Sequence, residues 1–129
     1  MTTAYFTVTL IAVVADGFSG IAALAHFKPI LAGMERAGVP LSWLTFPIGT
    51  LKTAGALGLA AGLALRPVGV AAAIGLVLFF VCAVYTHVRA SDYGAQFYLA
   101  NGFLVLNVAV LVVSLGDMGV DATTLNWLR

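Results

Sequence analysis

The sequence predicts an all-α integral membrane protein, a four-helix bundle with a short amphipathic interfacial segment between helices 1 and 2. Three observations carry that prediction. Of the 129 residues, 62% are hydrophobic and only 9% charged, and the mean hydropathy is +1.08. A soluble domain carries about 25% charged residues, and a chain this short has too little interior to hide so much apolar surface. The apolar residues gather into four runs of about 20 residues, the length that crosses a bilayer. None of these runs alternates with period 2, and each is too long for a barrel strand of about 10 residues. With no water to satisfy backbone groups in the bilayer, helices are the remaining solution.

The elements follow in order. The first span is expected at about Tyr5 to Ala25. Its opening, MTTAYFTVTLIAVVADGFSG, has no basic n-region, and its apolar stretch outlasts the core of a cleaved signal, so it reads as a retained span. Residues 26–43, HFKPILAGMERAGVPLSW, place Lys28, Glu35 and Arg36 between apolar Phe27, Ile30, Leu31, Met34 and Val39. That spacing fits a short helix lying on the interface, starting near Pro29 and stopping at Gly38, before Pro40 re-aims the chain.

The second span is expected at about Leu44 to Leu65, its regular helix beginning near Phe46 or Pro47. Gly55, Gly58 and Gly62 fall in a GxxGxxxG pattern among Ala54, Ala56, Ala60 and Ala61, and Ala71, Ala72, Ala73 and Gly75 offer a matching small-residue face on the third span. Small residues let helix backbones approach closely in lipid. A hairpin of spans two and three closed at Arg66-Pro67 follows, with Pro67 opening the third helix, where its missing N–H is no loss. The third span is expected at about Val68 to Val88. RASDYG, residues 89–94, then leads to a fourth span at about Ala95 to Leu115 and a short polar tail ending near Trp127. Asn107, inside LVLNVAV, is placed to hydrogen-bond between helices. Residues 1–129 read as a single transmembrane domain.

Several function classes are disfavoured. The net charge is +1, and no basic patch interleaved with aromatics points to nucleic acid. The single cysteine, Cys82, sits in an apolar run and reads as a packing residue. No phosphate loop, nucleophile elbow or dinucleotide fingerprint is present. The two histidines, His26 and His87, lie outside any HxxxH, ExxH or CxxC pattern, so no metal or haem site is expected. His26 reads as an exposed loop residue. Without a complete catalytic motif, the sequence leans away from an enzyme. An even number of spans puts both termini on one side. Lys28, Arg36 and Arg89 in the first and third loops outnumber Arg66 and Arg129 opposite, which places those loops in the cytoplasm and the termini outside.

Lys52 is the anomaly. A cation at the bilayer centre costs about 2.5–3.5 kcal/mol. Lys52 lies about 7.5 Å beyond a helix start at Pro47, near enough for its stem to return the ammonium to the headgroups. Alternatively it pairs with Asp16, directly or through water. Asp16 lies nine residues before the first loop and Lys52 nine residues after Trp43, on antiparallel spans, so the two share a depth. His87 and Asn101 occupy the same half of the bilayer. Asp16, Lys52, His87 and Asn101 thus form a candidate polar pocket for a quinone or another polar-headed lipid, histidine being a side chain that can move protons. The competing reading is that these groups only satisfy one another at helix contacts.

FSGIAALAHF, MERAGVP, IGTLKTAGALGLAAGLALRPVGVAAAIGL and VYTHVRASD, in that order and spacing, resemble the DoxX-like family of small four-span membrane proteins over about residues 16–92. Relatives usually carry a lysine soon after the Ser-Gly of span one; here Ser19-Gly20 is followed by IAAL. The resemblance implies a membrane subunit associated with thiosulfate:quinone oxidoreduction, a partner of redox enzymes, or an assembly factor. The leading expectation is an accessory or quinone- or lipid-binding component of a membrane redox system. Two rivals are an enzyme working on a lipophilic substrate by acid–base chemistry at Asp16, Lys52 and His87, and a chaperone using the small-residue face. Transport fits less well, because four short spans without an inverted repeat would need to dimerise to form a pathway. The expected partners are the inner-membrane bilayer, a membrane redox protein and a second copy of the chain.

Overall fold

The computed structural model describes residues 2–127, with side chains through Asp117. It contains five α-helices: α1 (Thr3–Leu24), α2 (Lys28–Ala37), α3 (Thr50–Ala61), α4 (Arg66–Arg89) and α5 (Ala95–Trp127). Among the described residues, three segments are long and apolar enough to cross a membrane, Thr3–Leu24, Arg66–Arg89 and Ala95–Asp117. Large apolar side chains cover their outer faces. Val14 is 70% exposed, Phe18 76% and Val105 68%, and Leu57 on α3 is 68% exposed. Side chains of this size at this exposure belong in lipid, and the chain is a multi-pass membrane protein.

The expected second span is not one continuous helix. A 3-10 turn, Leu41–Trp43, leads into a π-type stretch, Leu44–Gly49, and the regular helix starts only at Thr50. The break sits at Phe46, whose φ of −137° and ψ of 129° are extended. The cause is local. Pro47 has no N–H to donate, and its ring drives the preceding residue out of the helical region. The groups freed by the break find partners nearby, since the Thr50 hydroxyl donates to the Thr45 carbonyl at 2.7 Å. The far end also differs from expectation. α3 stops at Ala61, and the hairpin turns through residues 62–65, just before Arg66-Pro67. Pro67 does sit in the first turn of α4, as expected. α5 continues past Leu115 to Trp127, where a polar tail was expected.

Helices α1, α3, α4 and α5 pack in a closed ring, each against the next and α5 back against α1. Contacts fix every adjacent pair as antiparallel, because one residue number falls as the other rises. Gly17 faces Ala56 and Gly20 faces Thr53 across α1 and α3. Gly55 faces Leu76, Gly58 faces Ala72 and Gly62 faces Gly69 across α3 and α4. Phe80 stacks on Phe103 at 5.2 Å between α4 and α5. The core joins Ala12, Leu59, Ala73, Leu76, Phe80 and Val110. Since lipid is as apolar as these side chains, close packing rather than water exclusion holds the ring. The Gly62–Gly69 crossing shows this best. A Cβ on Gly62 would run into the Gly69 Cα, so the hairpin of the expected small-residue face closes backbone to backbone.

Polar contacts tie the hairpin end of the ring. Arg66 Nη1 lies 2.6 Å from Asp117 Oδ2, Thr2 N–H donates to Asp117 Oδ1 at 3.0 Å, and the Tyr5 hydroxyl donates to the Gly62 carbonyl at 3.1 Å. The Arg66 guanidinium also rests 4.3 Å from the Tyr5 ring centroid.

At the opposite end, α2 packs against α4, α5 and the Leu41–Trp43 turn. Gly33, Met34 and Ala37 face inward, while Lys28, Glu35 and Arg36 are exposed. Gly38 ends the helix in the left-handed region at φ 74°, where glycine carries no Cβ penalty. Met34 joins Ala23 and Leu44 in a second small core that seats α2.

Candidate functional site

The kink before α3 and the placement of α2 create the site. Residues of α2 and of the kinked 44–49 stretch, with parts of α1, α3 and α5 and the C-terminal half of α4, line a cavity of about 690 Å³. That volume falls within the roughly 300–1,000 Å³ typical of small-molecule sites. The cavity is walled mainly by apolar groups, among them Met34, Trp43, Leu51, Phe79, Phe80 and Phe103. Some of its lining residues are themselves exposed: Leu51, Leu78 and Cys82 on the α3–α4 side, and Phe18 and Leu99 on the α1–α5 side. The cavity therefore reaches the lipid-facing surface rather than being sealed inside the bundle.

Two of the four expected site residues, Lys52 and His87, line this cavity. Lys52 Nζ donates to the Ser19 hydroxyl across α1 and α3 at 3.0 Å, and lies 5.7 Å from the ring centroids of both Phe79 and Phe80. That is within cation–π range. The close passage of α1 and α3 at Gly20 brings Ser19 within reach.

His87 is buried at the end of α4, with Nδ1 2.9 Å from Asp92 Oδ2. An ionised carboxylate only accepts hydrogen bonds, so Nδ1 carries the proton and Nε2 keeps its lone pair in the neutral ring. Asp92 also receives the Gly94 N–H at 3.3 Å and lies 3.5 Å from Arg36 Nε on α2. Burial alone would raise its pKa. The His87 and Gly94 hydrogen bonds, with the charge of Arg36 and that of His87 when its ring is protonated, outweigh burial and hold the carboxyl below its ordinary value. Arg36, Asp92 and His87 thus link the α2 cover to the cavity wall.

Asp16 and Asn101 lie elsewhere. Asp16 is fully buried inside the ring, where Oδ1 accepts from Asn107 Nδ2 at 3.1 Å and Oδ2 has no hydrogen-bond partner. Asn107 also donates to its own helix at the Phe103 carbonyl, 2.9 Å away. Both of its neighbours are acceptors, which fixes the orientation of the amide. The interhelical role expected for Asn107 is therefore met, with Asp16 as its partner. The ion pairs among the described residues are Arg36–Asp92 and Arg66–Asp117, joined by His87–Asp92 when the ring is protonated, and the direct Asp16–Lys52 pair is not one of them. The reason is that Asn107 holds Asp16 while Ser19 and the Phe79–Phe80 rings hold Lys52. Asn101 Nδ2 donates to the Phe97 carbonyl of its own helix and takes no part in the cavity wall. His26, exposed as expected, hydrogen-bonds the Thr45 hydroxyl at 3.1 Å.

Sequence reasoning missed Ser19, Asp92 and Arg36 as parts of the site. Asp92 had a signal: an acidic residue five positions after a histidine, across a short turn. Arg36 had none, because its partner lies in a distant loop.

A family model described as the DoxX-like family matches residues 7–115, further in both directions than the 16–92 stretch that carried the resemblance. No curated protein and no solved structure matches the chain.

Proposed function

The chain belongs to the DoxX-like family, and from that premise we propose that it is an accessory component of a membrane redox system that holds a quinone or another polar-headed lipid. The observation that carries this reading is the apolar cavity of about 690 Å³ with Lys52 and His87 in its wall. A pocket of this kind orients an apolar molecule by a few polar groups. His87, with Asp92 on one ring nitrogen and the other free to accept, can take or return a proton at a ligand oxygen. In the full architecture we envisage, the kinked 44–49 stretch and α3 together make the fourth crossing of a single inner-membrane domain. The first and third loops face the cytoplasm and the termini face outside. Arg129, part of the charge argument for that orientation, lies outside the described residues.

Native mass spectrometry of the protein extracted gently from its own membrane tests the proposal. A retained quinone or other lipid is the expected result. A stable protein partner with no small ligand would return the chain to an assembly role on its small-residue face. Conversion of a retained lipid by the purified protein alone would favour an enzyme instead.

A further inference from the structure

We infer that the cavity prefers a single-chain amphiphile with an anionic oxygen head, a carboxylate, seated on Lys52; this rests on the lipid-cavity reading and specifies its ligand. Lys52 brings an ammonium to an apolar cavity wall inside the membrane protein, and its direct neighbours are neutral. One N–H goes to the Ser19 hydroxyl, and the rings of Phe79 and Phe80 lie 5.7 Å from Nζ. Hydroxyls and ring faces stabilise a cation but do not neutralise it.

An ammonium has three donors, and among the described residues only Ser19 accepts from this one. Among the described residues, neither acidic group in the neighbourhood forms an ion pair with it. Asp16 is held by Asn107 on α5, and Asp92 by His87 and Arg36. A charge in an apolar environment is costly unless paired, so an anion from the bilayer that brings its own tail supplies what the protein does not.

Size and access agree. At about 30 Å³ per small group, the share a water molecule takes in the liquid, the cavity of about 690 Å³ accommodates on the order of 20 non-hydrogen atoms. One acyl chain with its head fits that volume, and a two-chain phospholipid is well above it. The exposed lining residues Leu51 and Leu78 provide a lateral route from lipid to the cavity. His87, at the other pole of the wall, lies two turns further along α4 than Phe80, about 10 Å by helical rise. It therefore does not compete for a head bound at Lys52.

The test compares hexadecanoate with hexadecanol, equal in chain and different in head charge, binding to the purified detergent-solubilised protein at pH 7.5. Binding is read by isothermal titration on the wild type, Lys52→Met and Lys52→Arg. The inference expects hexadecanoate to bind at least tenfold tighter than hexadecanol to the wild type. It expects the difference to vanish in Lys52→Met and to return in part in Lys52→Arg. Equal affinities on the wild type, which need no variant to interpret, would overturn it. So would a carboxylate preference that survives in Lys52→Met, or a neutral short-chain quinone that outcompetes hexadecanoate. The last result would leave the lipid-cavity reading standing, whereas failure of all three ligands to bind would remove both.

Discussion

Asn107→Leu offers the sharpest test of the polar core. Asn107 Nδ2 donates to Asp16 Oδ1 at 3.1 Å, both residues are fully buried, and Asp16 Oδ2 has no other hydrogen-bond partner. The substitution removes the side-chain donor that holds this carboxyl. An interhelical hydrogen bond in a membrane averages about 0.6 kcal/mol and reaches about 1.7 kcal/mol. Leaving a buried acceptor unpaired adds about 1–3 kcal/mol. The expected loss is therefore roughly 2–5 kcal/mol. Asp16→Leu should cost less, because Asn107 keeps its bond to the Phe103 carbonyl at 2.9 Å. The double variant should be more stable than the sum of the single effects implies, by roughly 1.5 kcal/mol. Reversible unfolding in mixed micelles by SDS titration, followed by far-UV circular dichroism, measures all three. Additivity within about 0.5 kcal/mol would refute the reasoning. In the same assay, the cycle pairing Asp16→Asn with Lys52→Met should show a coupling well below that of the Asp16–Asn107 pair, because no direct contact joins those two.

Further predictions follow from other contacts. Gly62→Ala should destabilise the hairpin by about 1–3 kcal/mol, the range for overpacking, seen as a lower melting temperature in detergent, because its Cβ meets the Gly69 backbone. Tyr5→Phe should cost about 1 kcal/mol through the lost bond to the Gly62 carbonyl. Asp92 has a folded pKa below its unfolded value of about 3.9, so its contribution is fully present above that value and is lost as pH falls through the lower folded one. Melting temperatures should therefore drop more steeply below about pH 4 in the wild type than in Asp92→Asn. Arg36→Gln should leave global stability within about 1 kcal/mol, since the Arg36 side chain is 52% exposed and the pair is partly solvated. It should nevertheless speed amide exchange across residues 28–37, as Arg36 links α2 to Asp92.

What the sequence disclosed, and what it hid, follow from the range of the forces involved. The apolar runs foretold α1, α4 and α5, because lipid exposure demands them, and the Lys28–Gly38 pattern foretold α2, because its periodicity is local. The small residues of spans two and three marked a tight hairpin, which Gly62 and Gly69 close. The break at Phe46 was only half legible. Pro47 signalled a late helix start, but not that the chain would reach Thr50 through a π-type stretch. Asp16 and Lys52 were expected at one depth, but the Gly17–Ala56 and Gly20–Thr53 approaches set Lys52 opposite Ile21, about 7.5 Å along the axis from Asp16. Depth says nothing about the face a side chain takes. On α1 the inward face gives Asp16 to Asn107, while Ser19, one turn on, meets Lys52. The role of Arg36 depends on α2 folding over the third loop, a contact that no local pattern encodes.

The proposed lipid cavity can be tested by changing its wall. Gly75 lines it at its exposed rim, and a Cβ added there meets nothing within 4 Å, so Gly75→Leu is expected to add bulk at the cavity mouth. The deciding measurement is the native mass spectrum of wild type and Gly75→Leu, extracted side by side from the same membrane. A small lipid mass carried by the wild type and depleted in the variant, with both equally stable to heat, is the predicted result. A wild type without such a mass, or equal retention by both proteins, would contradict the lipid-cavity proposal.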